Sequence, residues 1–422
     1  MLPGLSKGWA GLPCKLYGMG THDIVRLGLC GQGVTKVQST HNNKAVSSCF
    51  RRLLPLLLLT GFLFSVPAPA DTSSWPMFLG GPSRDSQMEA GLAPPLNLLW
   101  EFDAGDLIFS SPTVSSGKVF IGTLSGMFFA VDADSGKLLW SFETQDEITS
   151  SAAVVGGRVY FGSKDGTLYC LDEQSGKKVW EYTTKGKIIN SPAVVDGVVY
   201  FGSNDMNFYA VKADQGDLLW VTALASRATS GRGIYASPAV VDGIVYTARK
   251  GFKVYALDAK SGKTLWEFQT HSANYSSPVV YNGTLYIGGY DRNLYALDAK
   301  KGSLKWQAAV DDWIYASPVV AGGQVYVGSK DGILTVFREA DGERVWSKDM
   351  QGPISATPVV GPDGVGYVGS EWGELVAFDT RSGKELWKEV LPEDGFHASP
   401  AVVGDRLYIG TINGYLMAWG AK

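Results

Sequence analysis

Beyond residue 70 the chain carries two histidines and one cysteine, and their placement argues against metal and disulfide chemistry. His271 and His397 lie far apart in the sequence, whereas a transition metal needs three or four ligands brought together. Cys170 is the one cysteine after the first seventy residues, so no internal disulfide can form there. It replaces the alanine of a recurrent LYALD segment, which assigns it a small buried role. Asp132-Ala133-Asp134 has the look of a calcium-loop fragment, but it falls in a repeated turn where aspartate shapes the bend. No serine, histidine and aspartate in triad order, no phosphate-cradling glycine loop and no metal-binding helix motif occur. The chemistry left to this chain is recognition by aromatic and charged side chains.

The elements that position those side chains follow from one period. Trp100, Trp140, Trp180, Trp220, Trp266, Trp306, Trp346 and Trp387 recur about every forty residues. Each is followed by a short apolar run, opened by Pro112, Ala152, Pro192, Pro238, Pro278, Pro318, Pro358 or Pro400. A supersecondary unit has been copied eight times. Its fifth copy, residues 276–309, predicts four strands: SPVVY, a turn at Asn282-Gly283, TLYIGG, a polar turn, LYALD, a turn with Gly302, and SLKWQ. Asn-Gly suits a tight hairpin because both residues tolerate positive φ, and the strands alternate with period two. Four short strands per forty residues predict an all-β, eight-bladed β-propeller. The last copy lacks a fourth strand, and Trp100 sits in a strand with no blade before it. The segment from Leu98 to Phe102 is therefore expected to complete the last blade and remove the open sheet edges.

The first seventy residues stand outside this array. Arg51-Arg52, an apolar core over 53–64 and the small-residue stretch SVPAPA predict a secretory signal cleaved near Ala70. The core is too short for a membrane span of about twenty residues, and no cysteine at the cleavage site offers a lipid anchor. Residues 71–97 form a lead-in and 98–422 the propeller. Cleavage leaves 30 basic and 40 acidic residues from totals of 37 and 41, a balance that disfavours nucleic acid as a partner. The exported chain is expected to be periplasmic or secreted, monomeric and without a transmembrane segment.

The turns VDADSGKLLW, LDAKSGKTLW and FDTRSGKELW resemble the tryptophan-docking turn of the pyrroloquinoline-quinone-type propeller repeat. The likeness covers residues 71–422, and WPMFLGGPSRDSQ from Trp75 resembles the lead-in of exported members. The resemblance implies that all eight periodic tryptophans pack at the periphery against a neighbouring blade. It also admits two functions. Quinoprotein dehydrogenases hold the quinone and a calcium ion at the ring's centre, beside a disulfide of adjacent cysteines. Scaffolds such as the outer-membrane β-barrel assembly factor B are non-catalytic. The single Cys170, the bare units and the lack of a C-x-x-C-H haem motif favour the scaffold. We therefore expect no cofactor and a protein partner in the bacterial envelope. Pyrroloquinoline quinone with calcium, or a polysaccharide, is the alternative.

In a propeller the link between blades and the turn between second and third strands share one face. The residues two before each repeat proline then ring the channel mouth, among them Phe109, Tyr235, Tyr275, Tyr315 and His397. Such rings anchor partners or simply plug the funnel. Lys185 and Lys187 enter the third blade, Arg227 and Arg232 the fourth, and Arg249 and Lys250 lie on the fourth blade's turn; Asp311, Asp312, Glu371, Glu393 and Asp394 lie opposite. The link before the fourth blade is longer than the others by six residues. This basic sector is the expected docking site.

Overall fold

The computed structural model describes residues 74–224 and 233–421; the leader and the signal segment, with Arg227 and Arg232, lie outside the described residues. Thirty-two strands form eight antiparallel four-stranded sheets, the eight-bladed propeller read from the repeat. In the fifth blade the strands are Val279–Tyr281, Thr284–Gly288, Asn293–Asp298 and Leu304–Ala309. Asn282 and Gly283 between the first two adopt φ of 46° and 69°, as a two-residue hairpin turn demands. The second and third strands are buried on both faces because they pack between adjacent blades, while the fourth alternates with solvent. Ring closure follows expectation: strand Asn97–Asp103 pairs antiparallel with Tyr415–Gly420, setting Trp100 opposite Ala418.

A bulge between Ala296 and Leu297 interrupts the pairing of the third and fourth strands, and it sits beside Trp306. Such a bulge re-aims the neighbouring side chain, here toward the next blade. The Trp306 Nε1 donates to the Glu339 carbonyl there at 2.9 Å. Trp100, Trp140, Trp180, Trp220, Trp266 and Trp346 do the same at 2.9–3.2 Å. Trp387 differs. In the eighth blade the third and fourth strands come from opposite chain ends, so no turn joins them to receive it; Trp387 instead meets Trp419 edge to face at 5.8 Å.

The lead-in closes the channel. Trp75 exchanges backbone bonds with Val114, and Pro76, Pro82, Ser83 and Ser86 accept from Val154, Val240, Val280 and Val360, residues of five innermost strands. The Gln87 side chain donates to the Val320 carbonyl at 2.8 Å. Residues 75–88 are thus a plug threaded across the inner strands of the blades. Among the described residues no helix is long and apolar enough to cross a membrane.

Candidate functional site

Above the plug the channel opens as a blind funnel of about 420 Å³, floored in part by Phe78. Its face is set by the links between blades. In each blade the turn after the second strand bonds to the link entering that blade, as in Lys164 N–H to Glu147 O, Lys250 to Gly233, Lys330 to Trp313 and Glu371 to Pro353.

The funnel is layered. Phe109, Tyr235, Tyr275, Tyr315 and His397 all line its upper wall and join into an arc. Tyr235 meets Tyr275 edge on at 5.0 Å, Tyr275 stacks toward Tyr315 at 5.7 Å, Tyr315 meets His397 at 5.4 Å, and His397 stacks on Phe109 at 4.3 Å. Burial between those rings pulls the His397 imidazole down to about 4, so it is neutral at physiological pH. A branch leaves the funnel: Tyr275 stacks on Tyr290 at 4.5 Å and Tyr290 on Trp313 at 4.8 Å, and Trp313 is 49% exposed.

Two residues deeper lies a belt that the eight-fold repeat closes on itself. The backbone N–H of Ser111 donates to the Ser151 hydroxyl, and the same bond passes from Ser151 to Ser191, Ser237, Ser277, Ser317, Thr357 and Ser399 at 2.8–3.1 Å. Ser399 N–H returns it to Ser111 at 2.9 Å. All eight hydroxyl residues are buried and line the funnel.

The charged residues are placed unevenly. Lys187 lines the funnel and reaches Asp146 at 3.1 Å, and Lys164 beside it pairs with Glu147. Lys330 bonds Glu371 at 2.5 Å and Ser355 at 2.6 Å. Burial alone would raise the Glu371 carboxyl, but the bonds from Lys330 and Ser355 outweigh it and hold it below its usual range. Lys185 is exposed beside the mouth, its N–H bonded to Asp205. Lys250 lies over the faces of Tyr235 and Tyr275 at 5.6 and 5.2 Å, a cation–π arrangement. Arg249 corrects the sequence reading in its placement: it ends the second strand of its blade, Ile244–Arg249, instead of lying on the turn, and it is buried, 8% exposed. Its Nε and Nη1 have no hydrogen-bond partner among the described residues.

Other sequence candidates fall away from the funnel. The Asp132 Oδ1 accepts both the N–H and the hydroxyl of Ser135 at 2.8 and 2.6 Å, which makes it the clasp of its turn. Cys170 is fully buried, and burial pushes its thiol up to about 12, far from the thiolate a nucleophile needs. Among the described residues no three His, Cys, Asp or Glu converge as a metal set would.

Sequence reasoning missed two features of this face. Trp313 and Trp372, the latter 68% exposed, break the forty-residue period, and that break was the available signal. At the turn after the second strand, five blades place Gly126, Gly166, Gly332, Gly373 or Gly414 at φ of 84–92°, whereas three consecutive blades place Met206, Phe252 and Arg292 at 65–75°.

Together, fold and funnel define a propeller of tryptophan-docked blades with a plugged channel. The chain belongs to the family described as outer membrane protein assembly factor BamB, which matches residues 128–280, 253–355 and 330–422. A quinohemoprotein alcohol dehydrogenase of Pseudomonas putida, ADH IIB, is 39% identical over 70 residues; the match spans 14% of this chain and 10% of that enzyme. BamB from Moraxella catarrhalis superposes with a TM-score of 0.67 at 18% identity, covering 78% of this chain and 100% of that one. Quinohemoprotein alcohol dehydrogenase from Comamonas testosteroni gives 0.70 at 15% identity over 83% of this chain and 81% of its own. These structural likenesses show the shared fold.

Proposed function

We propose that this chain is an exported, non-catalytic scaffold of the bacterial cell envelope that docks a protein partner on its funnel face, in the service of outer-membrane protein assembly. The observation that carries this reading is the run of Met206, Phe252 and Arg292 at left-handed φ in the third, fourth and fifth blades. Left-handed backbone costs a non-glycine residue about 1–2 kcal/mol, and the other five blades avoid that cost with glycine. Strain of this kind concentrates where side chains have a task. Methionine, phenylalanine and arginine are types enriched in protein interfaces, and Phe252 stands 41% exposed. The basic sector with Lys185, Lys187 and Lys250 lies in the same blades, and so does the long link bearing Arg227 and Arg232.

The test replaces Phe252 and Arg292 with glycine, which relaxes the backbone while removing the side chains. Capture of the partner from envelope extracts should be lost while thermal unfolding is unchanged or improved. Unchanged capture removes this surface as the docking site. Reversing Arg227 and Arg232 to glutamate should weaken capture in the same assay.

The likeness to quinoprotein dehydrogenases supports a second reading, a quinone-dependent oxidoreductase. The funnel's donor set fits it poorly. Calcium takes six to eight oxygen ligands with several carboxylates, whereas no Asp or Glu is among the described residues that line the funnel, and Glu371 nearby is held by Lys330 and Ser355. Reduction of an artificial electron acceptor that requires both added quinone and calcium would favour the enzyme.

A further inference from the structure

Arg84 is a fully buried cation. It belongs to the plug, and it adjoins the hydroxyl belt through its bond to the Ser191 carbonyl. Its guanidinium donates only to carbonyls: Nε to Pro238 at 2.8 Å, Nη1 to Phe78 at 2.7 Å, and Nη2 to Ser191 and Pro192 at 3.1 Å each. It also lies 5.4 Å from the Phe78 ring that faces the funnel. No carboxylate pairs with it among the described residues. Desolvation lowers its pKa to about 9, which leaves it cationic at neutral pH. A buried charge without a counter-charge is costly even when hydrogen-bonded.

The belt beside it has donors to spare. Each of its eight hydroxyls accepts an N–H from the preceding blade, and among the described residues none donates its own proton to a protein acceptor. A hydroxyl carries one donor besides its acceptor sites, so the protons are left for whatever occupies the funnel. The lysines on the wall, Lys164 and Lys187, are neutralised, each holding a carboxylate, and so is Lys330 over the Tyr315 ring. Lys250 at the mouth and Arg84 at the base have no such partner among the described residues. The surplus is positive in a chain that is otherwise acidic beyond residue 70, and the walls between the two cations are aromatic.

We propose that the funnel is a binding site for a small organic oxyanion, a carboxylate or phosphate monoester, whose anionic end rests on the hydroxyl belt beside Arg84 and whose apolar body lies between the rim aromatics. The site requires neither metal nor redox chemistry and stands independently of the scaffold reading. A volume of about 420 Å³ lies within the range of small-ligand pockets. The hydroxyls give the anion direct hydrogen bonds, and Arg84 adds charge through a medium of low dielectric where it is poorly screened.

Purified protein is titrated with phenylacetate, phenyl phosphate and neutral 2-phenylethanol, following tyrosine and tryptophan fluorescence and calorimetry. At least one anion should bind saturably and on the order of tenfold more tightly than the alcohol, as charge-assisted bonds require. Preference between the two anions, and displacement by inorganic phosphate, assigns the head group. Arg84→Gln should weaken the anion about tenfold and leave the alcohol unchanged. If that variant fails to fold by circular dichroism, the pair Ser277→Ala and Ser317→Ala decides in its place, with the same expected loss. Lys250→Met at the mouth should give a smaller loss that fades as salt is raised. Equal affinity for alcohol and anions, no binding of either anion at millimolar concentration, or unchanged affinity in the folded variants overturns the proposal.

Discussion

The outer girdle and the funnel are built from the same eight copies, yet one is uniform and the other is not. At the girdle seven tryptophans make the same bond to the next blade's turn. At the rim the equivalent positions are Phe109, Thr149, Ile189, Tyr235, Tyr275, Tyr315, Ser355 and His397. The girdle joins blade to blade, and seven of its eight junctions share one geometry, so one residue type serves them. The rim faces solvent and whatever enters the funnel, so nothing in the repeat constrains it to be uniform. Between them, the hydroxyl belt is regular in chemistry but faces the funnel, and it shares the character of both.

The sharpest way to break this contrast is to remove girdle tryptophans one at a time. Trp220→Ala should cost roughly 3–5 kcal/mol in denaturant unfolding. Trp387→Ala should cost about 1–2 kcal/mol less, because it has no carbonyl to dock on and loses only packing. Equal losses would mean that the docking bond contributes nothing.

A second pair separates backbone strain from contact. Gly302 and Gly283 share φ near 70°. A Cβ on Gly302 would sit 2.5 Å from the Trp266 ring, whereas one on Gly283 meets nothing within 4 Å. Gly302→Ala should therefore lose about 2–4 kcal/mol and Gly283→Ala about 1 kcal/mol. Similar losses at both sites would deny the girdle its tight fit.

At the rim, His397 gives a pH signature. Its folded pKa of about 4 lies below the unfolded value near 6.5, so the unfolded chain takes up the proton first. Stability should fall as pH drops from about 6.5 toward 4, by of order 1–2 kcal/mol after allowing for partial exposure. His397→Phe should flatten that slope in thermal melts across the window; a slope unchanged in the variant would detach it from this residue. The smallest effect belongs to the strained turns. Phe252→Gly should leave stability within about 1 kcal/mol of the parent, or raise it. A large loss would show that Phe252 is structural and belongs with the girdle.

Much of the architecture is legible in the chain because it is local and repeated. Trp306 with Gly302, and Asn282 with Gly283, announce a blade within forty residues, and Trp100 announces the closing strand. The rim was legible once the propeller was inferred, since the residues two before each repeat proline had to share a face. Arg249 was misread because burial at a strand's end depends on how far the strand runs, which Arg249 and its neighbours do not advertise. Trp313 and Trp372 could have been found as tryptophans out of period. The belt was half visible, as a serine or threonine before each repeat proline, but its closure into a ring was not.

Arg84 could not have been read at all. Its partners Ser191 and Pro238 lie 107 and 154 residues away, and nothing in the lead-in's own pattern names them. Blade count, turn types and strand order follow from periodicity, because each copy must bury the same faces against its neighbours. The plug, the buried guanidinium and the ring of hydroxyls exist only where eight copies meet on one axis, and that meeting is a property of the closed ring.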